Sequence, residues 1–363
     1  QKDSKEDYIV STRRLQMEPS GTDVVLRVLD ENAGDRIEPL DIGPNAHRQI
    51  VTHLSIPVKY YEKMREENPE LLTVNVNIPA KYYSRMLDEY PKLLTENVNG
   101  WFSRADAQRM LRVLDGKARA FLSNRYLRLD HLQIAEAVLP IIGEIPDARF
   151  ESCQITEDRM YIKVVNPRLQ QEVVPGDIVQ AGVIISNSEV GLGSVNIQPL
   201  VYRLVCKNGM VVNDAATRRN HVGRINSADE NFLLYSAETL AADDHAFMLK
   251  IQDTVRAAVD EANFSRVVGM MQEAAAVKMN TANVPEVVRL ASRDFGITDE
   301  EHPGVLQHLI EGKDLTLYGL ANAVTRYSQD VASYDRATDL ESIGYNILSM
   351  PAKRWNSINQ MAA

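Results

Sequence analysis

The chain has 363 residues, 44% of them hydrophobic and 25% charged, and a net charge of −10. That length allows two or three domains with cores of their own, and the composition is that of a globular chain. The acidic balance excludes a wholly basic nucleic-acid binder but not a local basic patch, and no apolar run approaches the roughly 18 residues of a membrane helix.

QKDSKEDY (1–8) is polar and reads as no signal peptide; with no initiator Met before it, further N-terminal sequence is expected. Residues 1–44 read as extended and turn-rich, with VVLRVL (24–29) as a strand and GPN (43–45) as a turn before a helix. In AHRQIVTHL, Ile50, Val51 and Leu54 fall on one side at helical spacing.

Residues 56–77 and 78–99 are a tandem duplication, with 14 of 22 positions identical. Each copy opens with Pro57 or Pro79, which suits a first helical turn. Each then sets Tyr-Tyr-x-x-Met on one face. Pro69 and Pro91 end the helix of each copy, since the residue before proline resists the α region. The copy adds one helix-turn unit to a stack, as packing like on like allows.

RADAQRMLRVL (104–114) is expected to be helical, and ARAFLSNRYLRLD (118–130) to hold a strand. LQIAEAVLPII (132–142) is an amphipathic helix expected to stop at Pro140 and Gly143. From about 147 to 213 the runs are rich in Val, Ile and Tyr and separated by turn signals. At least four consecutive strands imply an antiparallel sheet. Pro199 suggests a bulge or an edge, and Asn208-Gly209 a turn. Residues 229–279 are helical, with Phe247, Ile251, Val255 and Ala258 on one face. Residues 285–363 continue as helices, broken at Gly296 and Pro303 and capped by Thr298 with Glu301.

The expected fold is therefore α+β: a central antiparallel sheet of four or more strands covered by helices, with helical N- and C-terminal regions. The expected divisions are 1–44, 45–118, 119–280 and 281–363.

Nucleotide and nucleophile motifs are missing. Gly116-Lys117 and Gly312-Lys313 lack the glycine and Ser/Thr of a phosphate-binding loop. GLG (191–193) reads as a hairpin turn, and His245 after Asp243-Asp244 as a helix start. Cys153 and Cys206, the two cysteines, read as reduced, buried thiols. The expectation is no enzyme, no cofactor and no metal.

Charge is uneven along the chain. Residues 101–128 hold seven Arg/Lys against Asp106 and Asp115, a net of +5. Residues 203–224 hold five against Asp214, a net of +4. Residues 225–363 hold 11 basic and 20 acidic side chains, a net of −9. The candidate phosphate contacts are Arg203, Lys207, Arg218, Arg219, His221 and Arg224, helped by Arg119, Arg125 and Arg128. Tyr126 and Tyr202 are candidate stacking partners for bases.

SIPVKYYEKM with its second copy NIPAKYYSRMLDEYPKLLTENVNGWF, then ARAFLSNRYLRLD, RLVCKNGMVV and LYGLANAVTRYSQDVASYDRATDLESIGYNIL, resemble the phage/plasmid-like proteins collected as domain of unknown function family 932. The resemblance runs from about residue 45 onward, and the duplicated IPxxYY unit departs from it. It implies a phage, prophage or plasmid setting and no activity that transfers to residues.

Three readings follow. The first is an ATP-independent single-stranded DNA-binding and annealing protein of phage-type recombination. It would be cytoplasmic in a bacterial host, self-assembling into rings or filaments, and have no membrane partner. The second is a helix-turn-helix duplex binder built on AHRQIVTHLSIPVKYYEKM, with Lys59 and Lys63 in the groove. The third is a structural or host-interaction protein of a mobile element.

Overall fold

A computed structural model describes residues 5–20, 23–29, 38–54, 91–124, 126, 128–213, 217–219 and 237–362. The described residues form two compact units divided between Arg128 and Leu129.

The first unit is a sheet with two helices on one face. Its strands are β1 (Lys5–Ser11), β2 (Leu15–Ser20), β3 (Asp23–Val28) and β4 (Leu40–Ile42), with β5 (Gln108–Leu114) and β6 (Lys117–Ser123) added after the helices α1 (Pro44–His53) and α2 (Pro91–Arg104). The sheet order is β1-β5-β6-β4-β3-β2, antiparallel except for the parallel pair β4/β6. Alternation decides the inner face: Val24, Leu26 and Val28 of β3 are buried. Ile50, Val51 and Leu54 meet them from α1 and its cap, and Leu94, Val98 and Phe102, spaced by four, from α2. Each such buried side chain contributes roughly 1.5–3 kcal/mol.

Two amides pin these helices to the sheet. Asn99 of α2 accepts from the Met17 N–H at 2.6 Å and donates to the Met17 carbonyl at 2.8 Å. Gln49 of α1 accepts from the Phe121 N–H at 2.7 Å.

The segment 104–114, expected as a helix, is divided: α2 ends at Arg104 and residues 108–114 are β5. Helix-forming residues here yield to pairing, because β1 and β6 flank β5 on both sides. Strands β1–β4 and β5–β6 therefore share one sheet, so the divisions expected at 44/45 and 118/119 cut through one unit. The duplication up to residue 90 lies outside the described residues. The end of its second copy forms α2.

The second unit opens with α3 (His131–Glu144) and a sheet of β7 (Arg149–Ile155), β8 (Met160–Val174), β9 (Asp177–Asn187), β10 (Val195–Arg203), β11 (Asn208–Val211) and β12 (Thr217–Arg219). The order is β11-β10-β9-β8-β7, all antiparallel, and β12 also pairs β10. Seven helices follow: α4 (Ala237–Ala258), α5 (Glu261–Ala276), α6 (Val284–Phe295), α7 (His302–Gly312), α8 (Leu317–Tyr327), α9 (Tyr334–Leu348) and α10 (Ala352–Met361). This is the α+β architecture expected, with helices at the C-terminal end, while the described N-terminal residues open with strands β1–β4.

Nearly every residue of β9 is buried, so the sheet is covered on both faces. One face builds the main core: Val179, Ala181, Val201 and Met210 pack against Phe264, Val267 and Met271 of α5 and the apolar sides of α6–α10. The other holds a smaller cluster of Tyr161, Val165, Ile184, Leu200, Tyr202 and Val211. At Gly182 an added Cβ would lie 2.4 Å from the Val164 carbonyl oxygen, so β8 and β9 approach where only glycine fits. Phe247, Ile251, Val255 and Ala258 are buried along α4, as their spacing predicts. Thr298 and Glu301 form the expected reciprocal cap before α7.

Four local expectations change. Pro140 does not stop α3, which runs on to Glu144. The proline is exposed, so its missing donor faces solvent, while Ile141 and Ile142 beyond it are buried. Pro199 sits in register opposite Val183 inside β10, without a bulge. Its carbonyl accepts from the Val212 N–H as the chain leaves β11, and β12 pairs only with Val195–Ile197. The missing donor therefore falls where one neighbouring strand ends and the other begins. Asn208-Gly209 is not the turn. Leu204–Lys207 turns, with Lys207 at φ 52°, and Asn208 starts β11. Finally, the thiols are free but not buried: Cys153 is exposed on β7 and Cys206 half-buried in that turn.

Candidate functional site

The expected contact residues divide between the two units. Arg119, Tyr126 and Arg128 belong to the first. Arg128 is exposed, with Asp7 3.8 Å away. Asp7 also binds the buried Arg112 at 3.2 Å. Arg125, His221 and Arg224 lie outside the described residues, as does the second helix of the helix-turn-helix reading.

In the second unit, Arg203 and Tyr202 are committed to the fold. Arg203 donates to Asp177 at 2.6 Å and to the Cys206 sulfur at 3.1 Å. Asp177 is held in turn by the Tyr318 hydroxyl at 2.8 Å. Tyr202 is 4% exposed. Its hydroxyl donates to Glu151 at 2.5 Å, and Arg149 lies over its ring. Burial and Glu151 raise the phenol well above its ordinary pKa. Lys207 is exposed at the β10/β11 turn. That turn is fixed from below, because Gln329 donates to the carbonyls of Cys206 and Lys207 at 3.0 and 2.7 Å. Arg218 and Arg219 lie in β12, opposite Asn196 and Val195.

Tyr202 and Lys207 also line a cavity of about 330 Å³ on the second face of the sheet. Strand alternation builds its floor. Tyr161, Lys163 and Val165 share one face of β8, and Lys163 sits opposite Ser152. The irregularity between Phe150 and Ser152 lets both Glu151 and Ser152 reach the cavity. The other wall is the first half of α9. Its start is fixed by the Ser333 cap, by Tyr161 donating to Asp335 at 2.5 Å, and by Arg159 3.7 Å from Asp335.

At the floor, the Lys163 ammonium meets Glu341 at 2.6 Å. The ring of Tyr334 stands 4.9 Å from the same ammonium. The Tyr334 hydroxyl and Ser152 share a hydrogen bond of 2.5 Å. Gly209 packs against this carboxylate: a Cβ added there would lie 2.9 Å from Leu200 and 3.4 Å from Glu341 Oε1. Burial pushes the Glu341 carboxyl above its ordinary range, against the pull of Lys163. Burial also acts to lower Lys163, but Glu341 and Tyr334 outweigh it and raise its pKa. A buried pair with a shifted carboxyl in a cleft marks a candidate functional site.

Sequence reasoning missed Ser152, Lys163, Tyr334 and Glu341. A signal existed: Lys163 is one charge within the apolar run MYIKVV, and lysine is almost never buried unless paired.

The family described as Domain of unknown function (DUF932) matches residues 120–348, more than half of the 363 residues. The chain belongs to that family. The match covers the whole cavity and begins beyond the duplicated segment, so the IPxxYY motifs fall outside it. No curated protein and no solved structure matches the chain.

Proposed function

We propose that this protein binds and anneals single-stranded DNA without ATP, in the cytoplasm of a bacterial host, as part of a phage-type recombination system. One observation carries the reading. Two parts of the basic segment 203–224 lie along one strand, β10: the turn that follows it and the β12 backbone that pairs with its start. Lys207 lies at one end of it, and Arg218 and Arg219 pair with the other. β10 has nine residues, about 30 Å at the usual strand rise. Cations at both ends of such a strand suit several successive phosphates, which is how affinity without sequence preference arises.

Self-association is part of the proposal. β7 is the outer strand of its sheet and exposes Phe150 and Ile155. An open strand edge of this kind can pair with another copy. No helix among the described residues is long and apolar enough to cross a membrane.

The test is binding to labelled single- and double-stranded oligonucleotides over a salt series, with sizing of the products. The expected result is preference for single strands, large assemblies and a steep salt slope. Replacing Lys207, Arg218 and Arg219 together by Ala should reduce that slope by about 0.7 for each phosphate no longer neutralised. Preference for duplex with a small footprint would replace this reading with a duplex binder. No binding at low salt would reject both.

A further inference from the structure

We infer that the cavity between the second face of the β7–β11 sheet and α9 is a nucleotide site that takes the base inward. The inference goes beyond strand binding, because a free nucleotide can enter whether or not a strand is held.

Three features define the ligand. The first is size: about 330 Å³ is room for a single ring system with its sugar, not for a chain. The second is the edge the floor would read. Lys163 is a donor, and Glu341, through the oxygen facing Gly209, is an acceptor beside it. Every nucleobase carries a donor next to an acceptor on its pairing edge, so a base answers both groups at once. The third is charge. Lys163 and Lys207 face Glu151 and Glu341, so the lining is nearly balanced and does not suit a bare anion. Tyr334 supplies aromatic surface for a flat ring, and exposed Lys207 is placed for the phosphate at the mouth.

An ion pair kept only for stability has no need of a cavity above it, since well-packed apolar residues usually serve as well. Lys163 takes Glu341 Oε2, and Glu341 lines the cavity, so Oε1 is the carboxylate oxygen left to meet a ligand.

The experiment is ligand-observed saturation-transfer NMR on the full chain. The probes are adenosine, guanosine, cytidine and uridine 5′-monophosphate, with titration calorimetry for whichever binds. Saturation should reach the base protons first and the ribose less. Ribose 5-phosphate, which lacks the base, should not bind. Glu341→Gln keeps the shape but turns the open acceptor into a donor, and should weaken binding about tenfold, the effect of one lost buried hydrogen bond. Ala332→Trp, at an exposed position on the lining, leaves the floor intact and should abolish binding without changing the melting temperature. Two outcomes overturn the proposal: no saturation of any base, or ribose 5-phosphate binding as well as the nucleotides. Loss of oligonucleotide binding with nucleotide binding intact would reject the strand-binding reading alone.

Discussion

Lys163 and Glu341, 178 residues apart in the chain, meet at 2.6 Å with side chains only 9% and 8% exposed. They tie strand β8, next to the outer strand β7, to helix α9. Desolvating two charges costs several kcal/mol each, and the contact returns little more than that. The pair is therefore a weak source of net stability. Removing one member is expected to differ sharply from removing both. Lys163→Met or Glu341→Leu alone should cost about 3–5 kcal/mol, because a buried charge is left alone. The double variant should recover most of that loss. Urea unfolding of the four proteins gives the comparison; equal losses in single and double variants would refute it.

Asn99 makes the corresponding link in the first unit. Its amide satisfies both backbone groups of Met17 in β2, an otherwise outer strand. Asn99→Ala removes two hydrogen bonds and leaves Met17, 1% exposed, with its backbone groups unmet. The expected loss is about 2–3 kcal/mol. Asn99→Asp, which keeps the acceptor and loses the donor, should fall between. Thermal melting followed at Trp101, on the same helix, reads the effect.

Much of this architecture was legible in the chain. The Val/Ile-rich runs gave the antiparallel sheet, and the spacing of Phe247, Ile251, Val255 and Ala258 gave the buried face of α4. What misled was chemistry whose cause lies far away in sequence. Residues 108–114 are good helix formers, and pairing with β6 across the Asp115-Gly116 turn and with β1, about a hundred residues earlier, makes them a strand. Asn208-Gly209 has the composition of a turn. Yet Asn208 is buried and donates to Thr325 at 2.5 Å, and Gly209 is small because Leu200 and Glu341 press on it. Arg203 and Tyr202 looked available for a ligand because Asp177 and Glu151, their partners, are not sequence neighbours. The cavity was illegible for the same reason: its two essential charges come from opposite ends of the second unit.

Gly182 provides a sharper test of the sheet. A Cβ there would lie 2.4 Å from a backbone oxygen of the adjacent strand, an atom that cannot swing aside. Gly182→Ala is expected to lower stability by at least about 3 kcal/mol, at the upper end for overpacking. Gly269, on α5, has open space around its Cβ position. Gly269→Ala should instead stabilise by about 0.4–1 kcal/mol, since it restricts only the unfolded chain. Denaturant midpoints of the two variants should move in opposite directions.

His47 sets a pH limit on the first unit. Burial pushes its pKa down to about 4, with Asp23 opposing only in part. In the unfolded chain the same imidazole titrates near 6.5. Above that value it is neutral in both states and exerts no pH-dependent effect. Between about 6.5 and 4 the unfolded chain takes up the proton first, so stability falls as pH falls through this window. The full effect is on the order of 3 kcal/mol, at about 1.4 kcal/mol per unit. His47→Gln should remove that part of the acid sensitivity. The measurement is the urea midpoint at pH 7 and pH 4.5, read from Trp101 in a Trp355→Phe background so that only the first unit reports. If the two proteins lose the same stability over that interval, His47 is not the group responsible.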